Sequence, residues 1–420
     1  MIRSTGRLRT GSVRKRVGVR RGARHGPNRW RTSRPWLVAA SAATVVGLGL
    51  LLMGREEPPC CMETSTVVIY TPPDANTSAT VVPSAMREAL ADIAATHGSL
   101  LVIRVEGDGT VSTRTVDLTP RTSKGEVLQV PDRISAAVDE SITALEAEMN
   151  HPSASTESRA LYQGLLQARV PADAEVWVLS SGIDLESPTD ARDLGWDVPV
   201  DEVVAVAGSA GAVPDLSGAR ITFVMNAPAG RQQIRAVQTT YLHDLWDGLL
   251  LGSGASSVEF IDMPPGDPVS DQQVPVVELP PLPSTPVSVK PDSVDLGTYS
   301  CTLQTSAGFV PDKPFLIDED AVRASLVDCL ARMAPGSSVR LDGHTAYYGP
   351  LDANSRPTRQ TGVALSQQRC DRIANLLVSM GVPEADITDR VGHGSIDQPD
   401  PEHPTGQANR VVIITITPPK

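Results

Sequence analysis

Residues 338–345, SVRLDGHT, and residues 365–380, LSQQRCDRIANLLVSM, read as a strand and a helix that set the architecture of the C-terminal third. In the helix, Cys370, Ile373 and Leu377 recur at the spacing of one buried stripe. Upstream, Asp318–Met333 is predicted as a helix with Asp318 as N-cap and with Val322, Leu326, Cys329 and Met333 on one stripe. Phe309–Ile317 before it is predicted as a strand whose two prolines suit a sheet edge. Downstream, Ile387–Gly392 and Asn409–Thr417 (NRVVIITIT) read as strands. The order β-α-β-α-β-β predicts an α+β domain over 297–420 with its helices on one sheet face. Cys329 and Cys370 then fall on two helices packed on the same face, which predicts a disulfide between them.

Outward from this domain, Met263–Asp292 holds nine prolines in thirty residues. Extension of the polyproline type follows, so 263–296 is expected to be a linker. Residues 64–262 alternate short apolar strands (Thr66–Tyr70, Leu100–Val105, Glu175–Leu179, Ala219–Met225, Val258–Ile261) with helices (Ser84–His97, Val130–Met149, Ser158–Ala168, Arg231–Leu250). That alternation predicts an α/β domain with a doubly wound, mostly parallel sheet. Ligands of such sheets sit at the carboxyl ends of strands, here the loops after Tyr70 and Leu179.

Trp36–Met53, WLVAASAATVVGLGLLLM, is an uncharged run long enough to span a bilayer as a helix. Residues 1–35 carry 12 of the 37 Lys and Arg and no acid, leaving 25 basic against 49 acidic residues beyond. The steep change of charge across the run predicts a basic cytoplasmic tail at 1–35, a transmembrane helix at 36–53 and extracytoplasmic domains after it. The bilayer is thus an expected partner, and the cell membrane the expected location. The acidic body argues against nucleic acid as a partner. The absence of an ionisable group within the run argues against a proton-driven stator. No HExxH, GxSxG or P-loop occurs in a suitable context, so a non-enzymatic protein is expected. Cys60, Cys61 and Cys301 complete five cysteines beyond the span, where disulfides persist, and their spacing fits no zinc motif.

GHTAYYG at 343–349, Asn354, LSQQR at 365–369, Gly381–Val382, GHG at 392–394 and NRV at 409–411 together resemble the OmpA-like peptidoglycan-binding domain. The resemblance covers the last 110–120 residues, roughly the α+β domain already predicted, and implies a site for the diamino acid of a peptidoglycan stem peptide. The family's helix Arg, here Arg369, would fork onto the ligand carboxylate. It is expected in the first turn of its helix, with Ser366 as N-cap, where free N–H groups favour anions. Asn354, Thr345 and Arg410 fall on the other family positions. The family acid that pairs the ligand ammonium is replaced by Ala346, and an insertion at Ser355–Gly362 follows Asn354. Asp352 is the candidate substitute acid, Asp342 being four strand residues away from position 346.

In the first domain, TPPDANTSA after Tyr70 and SSGIDLES after Leu179 resemble a degenerate von Willebrand factor type A fold. The resemblance implies a divalent cation, Mg²⁺ or Ca²⁺, held by Asp74, Asn76, Ser78 and Asp184; the alternative is an ordinary polar loop. The run GWDVPVDEVV…LHDLWDGLLLGSGAS also resembles a region of actinobacterial membrane proteins with this two-domain layout. The expected function is a single-pass tether that binds peptidoglycan and joins membrane to wall. The alternative is an adhesion or assembly scaffold that binds an envelope protein through the first ectodomain, its OmpA-like domain no longer binding peptidoglycan.

Overall fold

The structure, a computed structural model, describes residues 65–73, 77–151, 158–226, 234–264, 287–290, 297–354 and 356–419. The predicted membrane span and basic tail lie outside these residues. Among the described residues no helix is long and apolar enough to cross a membrane.

The first domain comprises β1 (Thr66–Tyr70), α1 (Ser84–Ala95), β2 (Ser99–Val105), β3 (Val111–Asp117), α2 (Pro131–Met149), α3 (Leu161–Gln167), β4 (Glu175–Ser180), α4 (Ala191–Leu194), α5 (Val200–Ser209), β5 (Arg220–Met225), α6 (Ala236–Gly252) and β6 (Ser257–Asp262). Its sheet has the order β3-β2-β1-β4-β5-β6, parallel except for β3 against β2. The central strand TVVIY is buried throughout and mostly apolar because both its faces are covered. Val67 and Ile69 enter the core formed with Leu161, Leu245 and Trp246, while Val68 and Tyr70 enter the one formed with Met86, Leu90 and Ile142. The strand–helix reading therefore holds here. β3 escaped it because VSTRTVD is a largely exposed, polar edge strand without an apolar face. α5 escaped it because its valines suggest no helix on their own.

The second domain comprises β7 (Val287–Lys290), β8 (Tyr299–Gln304), α7 (Thr305–Gly308), α8 (Glu319–Leu330), β9 (Ser338–His344), α9 (Val363–Ser379), β10 (Ile387–Gly394) and β11 (Val411–Thr417). The sheet order is β10-β9-β11-β8-β7, with β9 and β10 parallel and the other pairs antiparallel. Leu303, Val322, Leu326, Leu341, Ile373, Leu377 and Ile414 make its core. Asp318 caps α8 as expected, accepting the Ala321 N–H at 2.9 Å.

Three expectations are corrected here. Residues 309–317 form a turn closed by Val310 N–H on the Phe315 carbonyl, not a strand. Pro311 and Pro314 cannot donate to a ladder, and the strand beside β11 is β8. The linker is not free of regular structure: its residues 287–290 form edge strand β7. The disulfide joins Cys301 to Cys329, not Cys329 to Cys370. α9 lies over β9 and β10, with Cys370 beside Gly343 of β9, whereas α8 lies toward β7 and β8. Cys329 therefore meets Cys301 of β8, and Cys370 stays a free, buried thiol.

Candidate functional site

α9 starts at Gly362, whose left-handed φ of 68° lets the chain turn into the helix; a Cβ there would run into Thr345. Ser366 is consequently an interior residue rather than the N-cap. Its hydroxyl donates to the Val363 carbonyl and accepts the Gly394 N–H, each at 3.0 Å, tying α9 to β10. Arg369 is the seventh helical residue, nearly two turns in, so it lies beyond the first-turn N–H groups. The Gly362 N–H at that end is taken by Glu202 Oε1 at 2.9 Å. Burial pushes the Glu202 carboxyl up, and the Gly362 N–H opposes the shift.

Arg369 is fully buried and its fork is filled by a carboxylate of the same chain. Its Nη1 donates to Asp197 Oδ2 at 2.8 Å and its Nη2 donates to Asp197 Oδ1. Nε donates to the Lys313 carbonyl at 3.2 Å, and the guanidinium carbon lies 5.1 Å from the centre of the Phe309 ring. Asp197 Oδ2 also accepts the Thr305 hydroxyl at 2.7 Å. The pair is bidentate and dry, with side-chain exposures of 1% and 2%.

Arg410, also fully buried, approaches the same segment. Its Nη2 donates to the Asp193 carbonyl and its Nη1 to Gln407 Oε1 at 3.2 Å. Burial lowers its pKa and the Asp197 charge counters that shift. Gly195 makes the approach possible, because it sits at φ 51° and any Cβ there would collide with the Arg410 guanidinium. Trp196 follows at φ 63°, an uncommon backbone for an indole residue, and the two left-handed residues precede Asp197 in the chain. Further contacts fasten the strap from Pro188 to Glu202: Tyr348 donates its hydroxyl to the Pro188 carbonyl, and Val200 N–H donates to Asp312 Oδ2 at 3.3 Å. Between the strap and the start of α9 a cleft of about 400 Å³ remains, bordered by Asp201, Glu202, Asp312 and Gln368.

Of the expected ligand residues, Arg369 and Arg410 converge and the others do not join them. Thr345 is buried between β10 and the start of α9, its N–H on the Gly394 carbonyl at 2.9 Å. Asn354 and Asp352 lie in an exposed turn, where Asp352 Oδ1 accepts the Asn354 and Arg356 N–H groups at 2.8 and 2.9 Å. These backbone donors hold the Asp352 carboxyl below its ordinary value. Ala346 is buried, and Asp342 is engaged by Arg340 and His393. Asp197, the acid that does reach the site, was not singled out from the sequence. It is 172 residues away from Arg369, and only its place within GWDVPVDEVV marked it.

The cation reading fares differently. Asp74 and Asn76 lie outside the described residues, and Ser78 is buried. Asp184 is buried and already capping α3: it accepts the Leu161 and Tyr162 N–H groups at 2.6 and 2.9 Å and the Thr189 hydroxyl at 2.7 Å. Burial pushes its pKa up to about 6 against those donors. Among the described residues no group of three or more His, Cys, Asp or Glu side chains is placed to hold a metal ion.

No protein-family model matches the chain, and no curated protein matches it. Solved structures similar to it include a MotB-like protein from Desulfovibrio vulgaris, at 20% identity, covering 32% of this chain and 82% of that one with a TM-score of 0.26. The cell wall anchor of the T6SS from Pseudomonas aeruginosa matches at 21% identity over 32% of this chain and 89% of its own, TM-score 0.25. BatB from Bacteroides thetaiotaomicron matches at 10% identity over 47% of this chain and 89% of its own, TM-score 0.23.

Proposed function

We propose that the protein is a non-enzymatic, membrane-anchored envelope protein whose C-terminal domain binds the peptidoglycan stem peptide through Arg369, tethering membrane to wall. The observation that carries this reading is the bidentate carboxylate on Arg369 in a domain with the OmpA-like motif set. The site has the charge, the fork and the dryness that carboxylate recognition needs. The basic tail and apolar run at 1–53 support the membrane half of the proposal, with the N-terminus in the cytoplasm. A cation in the first ectodomain would have to rely on Asp74, Asn76 and Ser78, since Asp184 is committed to α3.

The second reading, a scaffold that binds an envelope protein through the first ectodomain, is favoured by one specific fact: the carboxylate on Arg369 comes from that ectodomain. Co-sedimentation of the full chain with purified sacculi separates the two. Retention that falls when Asp197 and Arg369 are both replaced by Ala supports wall binding. Equal retention of the wild type and that double variant sinks it and leaves the scaffold.

A further inference from the structure

We propose that Asp197 is a built-in competitor for the ligand carboxylate, so that this structure is a closed state and wall binding requires the strap at 188–202 to leave Arg369. The inference rests on the reading of Arg369 as a stem-peptide site and adds its regulation. Three independent features of the strap support it.

First, the contact imitates a ligand. A carboxylate sits in the guanidinium fork with both oxygens engaged, and Thr305 adds a hydroxyl as a third donor, as it would to a bound acid. An isolated buried pair of this kind adds little net stability over apolar packing, so stability alone does not account for it. Second, the backbone just before Asp197 is strained. Trp196 holds a left-handed φ of 63° that a side chain disfavours, while Gly195 caps α4 in a conformation natural to glycine, and the buried Trp196 indole N–H has no hydrogen-bond partner. Strain of this sort persists where surrounding structure enforces it, and it lowers the free-energy gap to a released strap. Third, the strap is fastened to the second domain chiefly by polar contacts. Asp197 on Arg369, the Asp193 carbonyl on Arg410, Glu202 on Gly362 and Val200 on Asp312 are hydrogen bonds that water or a ligand can replace. The two domains keep separate apolar cores, and the second domain's deep apolar insertion into the first core is Tyr348. The strap's Ala191, Leu194, Trp196 and Val198 belong to the first core, so release is a parting of the second domain from a strap that stays seated on the first, and it withdraws Tyr348 from that core. It frees Arg369, Thr305 and Arg410 together, which turns a closed pair into an open anion site.

A wall carboxylate and Asp197 cannot occupy one fork at once. Apparent affinity is then reduced by the fraction of molecules that are open, and a substitution that weakens the strap raises it.

The test uses the full chain, a soluble stem tetrapeptide containing the diamino acid, and phenylglyoxal labelling mapped to Arg369. In the wild type, Arg369 should resist labelling and the peptide should bind weakly. Asp197→Ala should open Arg369 to labelling and tighten peptide binding about tenfold or more. Asp197→Asn, which keeps the side-chain shape, serves if the Ala variant fails to fold, and Thr305→Val should raise Arg369 labelling by less, without tightening peptide binding, because the ligand loses the same hydroxyl. Asp197→Ala combined with Arg369→Ala should bind no peptide. Equal peptide affinity of wild type and Asp197→Ala, both lost with Arg369, overturns the competitor while leaving the wall site intact. Arg369 that stays unlabelled in folded Asp197→Ala also overturns it. Labelling of Arg369 without peptide binding by any variant overturns the wall reading, and the competition falls with it.

Discussion

Asp197→Ala strips a fully buried guanidinium of two charge-assisted hydrogen bonds and leaves it the Lys313 carbonyl and the Phe309 face. Arg369→Ala leaves a carboxylate buried with the Thr305 hydroxyl. Removing one partner of a dry pair costs about 3–5 kcal/mol, because the other charge stays unpaired. Both groups are 2% exposed or less, so solvent relieves neither while the strap stays closed. The double variant strands neither member of the pair, although buried Arg410 still loses the Asp197 charge, and should recover about 2–3 kcal/mol relative to the sum of the single losses. Amide exchange at Gly362 and Val200 reads the closure directly, since their N–H groups are donated across it to Glu202 and Asp312. Either single variant should lose roughly two to four decades of protection at these amides, or all of it if opening is already frequent, while core strand β11 stays protected. Additive losses in the double variant, or unchanged protection in Asp197→Ala, would refute the assignment of the pair as the clasp of the strap.

Mass mapping under native conditions should find Cys301 linked to Cys329 and Cys370 slow to alkylate; reduction should destabilise the second domain by about 3–4 kcal/mol, as expected for opening a loop of this size. Gly195→Ala should lower the melting temperature by more than Gly211→Ala, because both residues hold positive φ but a Cβ at Gly195 meets Arg410 and one at Gly211 meets nothing; equal effects would show that the strap is not pressed against Arg410. Two buried groups should give opposite pH slopes. Asp184, raised to about 6 by burial, favours the folded state at low pH and loses that contribution as pH rises through 4 to 6. His344, lowered to about 4 by burial and the His393 charge, withdraws stability as pH falls from 6.5 to 4. Urea titrations of Asp184→Asn and His344→Gln over this range should each remove one slope, and an unchanged profile in either would refute that group's burial.

The strands and helices that bury a face were legible because burial leaves a period in the sequence. TVVIY, with both faces covered, and the stripe Cys370–Ile373–Leu377 are examples. Elements without such a face were not: β3 is an exposed polar edge, and 309–317 looked apolar enough for a strand until its prolines were placed in a turn. The site divides along the same line. Arg369 and Arg410 were legible from motif spacing inside one domain, because local sequence order fixes their places on α9 and beside β11. What lies on Arg369 was not, since Asp197 reaches it only through the packing of two domains. Cys301 was missed as the partner of Cys329 for a related reason: with 299–304 not recognised as a strand, the helices offered the only obvious pair of sulfurs.

The chain between Pro264 and Val287 adds a consequence of its own. Its length limits the separation of the first domain from β7 to about 80 Å even when fully extended. A released strap thus remains on a leash, and Asp197 stays at a millimolar-scale effective concentration around Arg369. Dilute free carboxylates cannot outcompete it at that level. On the proposed wall reading a wall polymer would, because it presents the same acid repeatedly and at high local density. On that reading, the linker length would then act as a threshold that favours a surface crowded with ligand over the same acid in dilute solution.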